Sequence, residues 1–400
     1  MKILHTSDWH LGHVLYKNDR VEEQQAMLDQ MVKIVKEEKP DLFLISGDVF
    51  HTAQPSAEAQ KMFNETIVEL HRSHPDMVIV ATAGNHDSGV RHEAFQLPWE
   101  YFNAHMVGTY DSSDDPRKYV IPVADKGYVI ALPFVNEFYL KEDTFQRLID
   151  AANEMNTADL PIIFSAHTAV RGIDLTVDFA GHENSSEDNI GGISTINIDA
   201  LGSGYDYLAL GHIHKPQFVR TGKHNARYCG TPLDVSFDEN YKESHSVTIL
   251  EIDRHGETLT DKNFRFIPIE NIKPLVTLPA KGAVALEEAE QLLHDYPDDI
   301  PAYVRLNVND IIPDRTKDRL KEQEWLKKKK CILCSVNDMR EEQTTGDTDS
   351  TGIKVQDFKK LNPIEIAKRY AKEQGKEFGE DLQELFNQVI NIVNEEERQA

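Results

Sequence analysis

The chain has 400 residues, 40% of them hydrophobic and 28% charged, enough apolar content to fill the cores of two or three domains. No apolar run approaches the roughly 20 residues that cross a bilayer, and the first residues enter a strand without a signal-peptide pattern, so a cytoplasmic protein with no membrane segment is expected. With 68 acidic residues against 43 basic ones, the formal charge of −25 excludes a chain coated in positive charge, and any polyanion must be met by a local cluster.

Five short apolar runs each lead to metal-binding residue types. The first, Lys2–Leu4, runs into Asp8-Trp9-His10, and the second, Asp41–Ile45, into Gly47-Asp48. Helices are expected at Ala57–His71 and His92–Phe102, on either side of a third run, Met77–Ala81, that leads to Gly84-Asn85-His86-Asp87. A fourth, Pro161–Phe164, precedes His167, and a fifth, Tyr207–Leu210, precedes Gly211-His212-Ile213-His214. The runs are rich in Ile, Val, Leu and Phe, as strands buried on both faces are. Ligands in layered α/β proteins collect beyond the carboxyl ends of such strands, so the five motifs are expected to converge on one sheet edge. Asp8 and His10, like His212 and His214, stand two apart, which on an extended backbone points both side chains the same way.

Carboxylate, amide carbonyl and imidazole donors without a thiolate suit Mn²⁺, with Mg, Fe or Zn as alternatives, better than a structural zinc. Two ions held about 3.5–4 Å apart need a bridging carboxylate, for which Asp48 is the candidate, with Gly47 letting the backbone turn before it.

No acidic residue occurs between Asp206 and Asp234, whereas Lys215, Arg220, Lys223 and Arg227 do. This stretch reads either as a grip on a substrate backbone or as a solvated hairpin. The acidic excess concentrates elsewhere, as in 174–188. Strands at Ser246–Ile252 and Asn263–Pro268 are expected to close a first domain, 1–271. A β-α-β-α-β unit follows in 272–339, with strands Leu275–Leu278, Tyr303–Val308 and Cys331–Val336 and helices Leu286–His294 and Pro313–Lys328. Its basic run, Arg315 to Lys330, is interleaved by Asp318, Glu322 and Glu324, as on an ordinary exposed helix face. Cys331 and Cys334 are three apart on a strand and point to opposite faces; with no second C-x-x-C they read as buried thiols. Residues 340–354 have a linker's composition. The tail, 355–400, reads as two helices, and in the second Leu382, Leu385, Phe386, Val389, Ile390 and Val393 form an apolar stripe that must dock on a partner or on the chain's own core.

The order D-x-H, G-D, G-N-H-D, H, G-H-x-H resembles the calcineurin-like metallophosphoesterase superfamily. The segments His5 to Gly12, Gly47 to Phe50, Arg227 to Pro232 and Ser236 to Glu239 are similar to SbcD-type nuclease subunits. The resemblance covers nearly the whole chain. It implies an α/β fold, a four-layer α/β/β/α metallophosphoesterase sandwich with a smaller α/β capping domain and a C-terminal helical tail. It implies one metal on Asp8, His10, Asp48 and His214 and another on Asp48, Asn85, His167 and His212. His86 would position the scissile phosphate and protonate the leaving oxygen, next to Asp87. Three residues after Asp48 many members carry Asp where this chain has His51, which contacts the phosphate, positions His86 or is a bystander.

The same resemblance implies a Mn-dependent double-strand exonuclease and single-strand or hairpin endonuclease acting in end processing, repair and recombination. It implies a homodimer, through 57–71 and 92–102, within a heterotetramer, and a tail stripe bound to the coiled coil of an SbcC-type ATPase. ATP dependence would come from that partner, because the chain has no G-x-x-x-x-G-K-S/T loop. The alternatives are a small-substrate phosphodiesterase or phosphatase of the same superfamily and a non-catalytic scaffold.

Overall fold

A computed structural model describes residues 1–136, 139–141, 143–171, 173, 189–190, 193–219, 225–239 and 245–339. The acidic 174–188 segment, Arg220, Lys223, the linker and the striped tail all lie outside the described residues.

Two six-stranded sheets form the body. In the first the order is Phe264–Pro268, Ser246–Glu251, Lys2–Thr6, Leu42–Ser46, Val78–Thr82, Ala104–Val107. The last four are parallel, and the first two join antiparallel. The second sheet runs Gln217–Phe218, Ala226–Tyr228, Tyr207–Gly211, Ile162–His167, Gly127–Leu132, Val120–Val123. Side chains alternate along these strands with period two. Ile3, Leu42, Leu44, Val78 and Val80 pack against Val129, Ala131, Ile163, Tyr207 and Ala209 in the layer between the sheets. Their neighbours Leu4, Phe43, Ile45, Ile79 and Ala81 face outward against the helices.

Those helices are Val21–Glu38 and Ala57–Ser73. The second starts where Ser56 accepts from the Ala59 amide at 3.1 Å, satisfying one open N–H. Its buried residues Ala59, Met62, Phe63, Thr66, Ile67 and Leu70 recur at helical spacing. On the far side of the second sheet, helix Thr144–Met155 buries Phe145, Leu148 and Ile149 against Phe164, Leu208 and Leu210. The packing thus places helices outside two sheets stacked face to face.

A third, three-stranded parallel sheet, Leu275–Leu278, Ala302–Val308, Cys331–Asp338, has its own apolar cluster with helix Leu286–Asp295. Cys331 belongs to that cluster, and Cys334 to another with Leu15, Phe237 and Tyr303. Both thiols are buried, as expected.

Two helices depart from expectation. The predicted helix Pro313–Lys328 stops at Lys321, and a short 3-10 turn follows at Leu326–Lys328. Leu320 and Leu326 are both buried. Six residues apart, they would fall about 120° apart around one straight helix, and the break at Lys321 brings both inside. The predicted His92–Phe102 helix is two five-residue helices, Gly89–Glu93 and Gln96–Glu100. Pro98 has no N–H for the Ala94 carbonyl, and its ring would crowd it.

Candidate active site

The two sheets touch where the strands carrying the motifs end. Ser46 Oγ and Ser165 Oγ lie 3.0 Å apart across the gap, and the Ser46 carbonyl accepts from His167 Nδ1 at 2.9 Å. Two glycines permit this approach: a Cβ on Gly47 would enter the His167 ring, and one on Gly211 would enter the Ser46 carbonyl.

Asp8, His10, Asp48, Asn85, His167, His212 and His214 are brought together here. His10 Nε2 and His214 Nε2 face each other at 3.1 Å. Asp48 Oδ2 lies 3.7 Å from His10 Nε2 and 3.4 Å from His167 Nε2, while its Oδ1 accepts the His86 amide at 2.9 Å. Asn85 Oδ1 meets His167 Nε2 at 3.0 Å, and the His212 ring packs on His167 with centroids 5.4 Å apart. Asp8 accepts the His212 amide at 3.0 Å and the Ser7 hydroxyl. The donor set fits divalent cations: the ligating atoms of Asp8, His10 and His214 lie within 4.8 Å of one another, as do those of Asp8, Asp48 and His167.

The convergence arises differently from the expected extended backbone. Asp8 and His10 lie beyond the end of their strand at φ 52° and 46°, Asp48 at 49° and His212 at 98°. Such left-handed backbone costs a non-glycine residue roughly 1 kcal/mol or more. Hydrogen bonds from Asp8 N to Gly47 O (3.0 Å) and from His10 N to Asp48 O (3.1 Å) clamp the two turns together.

Charge in the cluster is set by burial and mutual attraction. Burial pushes the Asp8 carboxyl up, partly opposed by His167 and His214. Burial would also raise Asp48, but His167 and His86 hold it well below the usual carboxylate range. Burial would lower His167, yet Asp48 raises it to about 9, so cation binding there must displace a proton. His10 is driven well below its ordinary value by burial.

His86 Nδ1 donates to the His51 carbonyl at 2.9 Å, leaving Nε2 as the ring nitrogen free to face a reacting oxygen. The two rings stack at 5.6 Å, 21° from parallel. His51 thus orients His86 by its backbone. Its ring, lowered to about 4 by burial and then by His86, is neutral and faces His10 Nδ1 at 3.4 Å. Asp87 turns away: its oxygens accept the amides of Val49, Phe50 and Gly84 at 2.8–3.0 Å, tying the second and third turns.

Of the basic candidates, Lys215 is buried next to His214. Arg227 is also buried, its guanidinium 4.8 Å from the Phe218 ring and 4.1 Å from the Phe266 ring, with Nε donating to Thr248. In this structure it joins the two sheets rather than offering a surface grip.

Two partners of the cluster were not assigned from sequence. Buried Glu239 accepts from His214 Nδ1 at 2.6 Å, the kind of outer contact that would fix the tautomer of the imidazole if it held a metal. His13 packs its ring edge on His51 at 4.6 Å. Glu239 lay in a segment whose resemblance was legible, but 25 residues of separation hide its contact.

Beside the cluster, His245 Nε2 and Asp234 Oδ1 pair at 2.5 Å. Burial would lower His245, but Asp234 raises it; burial would raise Asp234, but His245 lowers it. The raised imidazole stabilises the fold fully below its unfolded value near 6.5 and loses this contribution as pH rises through the folded value. The depressed carboxyl contributes above its unfolded value near 3.9 and fails as pH falls through its folded one. Asp234→Asn is expected to cost about 3 kcal/mol at pH 6, with the gap to wild type narrowing at alkaline pH; thermal unfolding midpoints from pH 5 to 10 check this, and a pH-independent gap would refute it.

Residues 1–216 match the family described as Calcineurin-like phosphoesterase. The chain is 31% identical to the SbcD subunit of the SbcCD nuclease of Rhodobacter capsulatus over 72% of this chain and 74% of that one. It is 30% identical to the SbcD subunit of Bacillus subtilis over 99% of this chain and all of the relative. Identity to the SbcD subunit of Escherichia coli is 28% over 70% of each chain.

Proposed function

The chain belongs to the calcineurin-like phosphoesterases and, within them, to the SbcD nuclease subunits of SbcCD complexes, and from that premise we propose that it is a Mn²⁺-dependent DNA nuclease that trims double-strand ends and opens hairpins. It is a metal-dependent phosphodiesterase. The observation that carries the site assignment is the position of Asp48, whose Oδ2 lies between His10 and His167 while its Oδ1 holds the His86 backbone.

In this reading Asp8, His10, Asp48 and His214 hold one cation, and Asp48, Asn85, His167 and His212 the other. When bound, the pair supplies positive charge for the phosphorane and acidifies a water. The protein's own part is positional. Asp48 sets the spacing of the two imidazole groups, and the His51 carbonyl aims His86 Nε2 at the departing oxygen. The neutral His51 ring keeps a further positive charge away from the cations. A side-by-side assay of duplex DNA and a small phosphodiester separates this reading from a small-substrate enzyme, which turns over only the latter.

The domain scheme is part of the proposal: 1–271 as nuclease, 272–339 as a cap that touches DNA, 340–354 as linker and 355–400 as the tail that grips the coiled coil of an SbcC-type ATPase. The stripe carries the last point. Leu385→Asp with Phe386→Asp is expected to abolish capture by that ATPase and leave intrinsic cleavage unchanged; retained capture in a pull-down overturns it.

A homodimer is supported by Val90, Phe95, Leu97 and Tyr101, which are 75, 60, 73 and 88% exposed around the two short helices. Large apolar side chains grouped this way mark an interface. Leu97→Glu with Tyr101→Glu is expected to halve the mass seen by sedimentation, and an unchanged mass would exclude this face. No helix among the described residues is long and apolar enough to cross a membrane.

A further inference from the structure

The turn that delivers Glu239 to His214 is held from its other side by the three-stranded sheet. Within five residues it presents two faces. Inward, Glu239 is buried, its Oε1 accepting from His214 Nδ1 at 2.6 Å and its Oε2 from the Val235 amide at 2.9 Å. Outward, Phe237 is buried with Leu15, Tyr303 and Cys334. Arg305, on the central strand of that sheet, grips both outer residues: Nη1 donates to Asp238 Oδ1 at 2.5 Å, Nη2 to the Phe237 carbonyl at 3.3 Å, and the guanidinium lies 5.2 Å from the Phe237 ring.

The sheet is irregular beside this residue. Its ladder slips at Arg305, pairing Val304 with Leu333 but Arg305 with Ser335, so Cys334 is skipped. The extra residue belongs to the strand Cys331–Asp338, and an irregularity of this kind bends that strand beside Phe237; Arg305, two residues after Tyr303, shares its face of the central strand. A short turn with its ends hydrogen-bonded cannot move its outer face while leaving the inner one in place. The Glu239 N–H to Ser236 carbonyl bond at 3.2 Å and the Asp238 amide to Ser236 Oγ bond at 3.3 Å close it.

We propose that Arg305 is a positioning residue for the metal ligand His214, acting through the 236–239 turn and Glu239, so that the placement of the three-stranded sheet and cation affinity at the His214 site are coupled. This rests on the metal-site reading above. The coupling is reciprocal: whatever shifts the sheet changes metal affinity, and filling the site holds the sheet.

The test is calorimetric titration of the full chain with MnCl₂, without DNA. Glu239→Gln, which removes the outer partner of a ligand, is expected to weaken one site about 10- to 100-fold. Arg305→Ala is expected to weaken that same site about tenfold, and the double variant to be no weaker than Glu239→Gln alone, since both act on one contact. Asp238→Ala, whose carboxylate is largely exposed, should shift affinity the same way and decides the matter if Arg305→Ala fails to fold. Wild-type affinity in the folded Arg305 or Asp238 variant, or losses that multiply in the double variant, overturn the coupling alone. A wild-type chain that takes up no Mn²⁺ overturns the metal-site reading with it.

Discussion

His86→Ala is expected to lower DNA cleavage by about 10²- to 10⁴-fold, the usual contribution of a positioned general acid, while Mn²⁺ content and DNA binding stay near wild type. The His86 amide, not its ring, bonds Asp48, and the ring's Nδ1 is spent on the His51 carbonyl. Truncation therefore removes Nε2 and leaves the carboxylate held. Elemental analysis beside a single-turnover assay checks it. A parallel loss of metal would make His86 a ligand instead. Because the orienting contact comes from the backbone of residue 51, His51→Ala should keep His86 aimed and cost less than His86→Ala.

Asp48→Ala is expected to empty both metal positions, not one. Its carboxylate stands between His10 and His167 and takes the His86 amide, so its loss leaves each imidazole group without the shared anionic oxygen that a two-metal site needs. It also leaves His167 without the charge that raises it. Cleavage should fall to background and metal content from two ions per chain to none. Retention of one tightly held ion would mean that Asp48 serves a single site and that Asp8, close enough to both groups, is the bridge.

Much of this site was legible because its chemistry follows from local pattern. Buried strands announce themselves by apolar runs, and each run here leads to metal-binding residue types, so the meeting of Asp8, Asp48, Asn85, His167 and His214 followed from topology. How the backbone gets them there did not. The pairs two apart converge through left-handed turns at Asp8, His10 and His212, stabilised by contacts from a neighbouring turn that no local pattern encodes. Glu239 was hidden for the same reason: an acidic residue beside Asp238 in an exposed-looking stretch gives no sign that it alone turns inward. Arg227, basic in an acid-free stretch, looked like a surface cation. Two aromatic rings from other strands bury it. The helix expected over Pro313–Lys328 failed where burial of both Leu320 and Leu326 broke the period, whereas the break before Pro98 has a local cause, its missing N–H, which the sequence already carried.

The most direct test is cleavage of end-labelled linear duplex and hairpin DNA by the full chain with Mn²⁺, with His86→Ala as control and a small phosphodiester alongside. Metal-dependent shortening of the duplex and opening of the hairpin are expected, both absent in the control. Turnover of the small phosphodiester alone, or DNA cleavage that survives in His86→Ala, would contradict the assignment of a two-metal DNA nuclease with His86 as its proton donor.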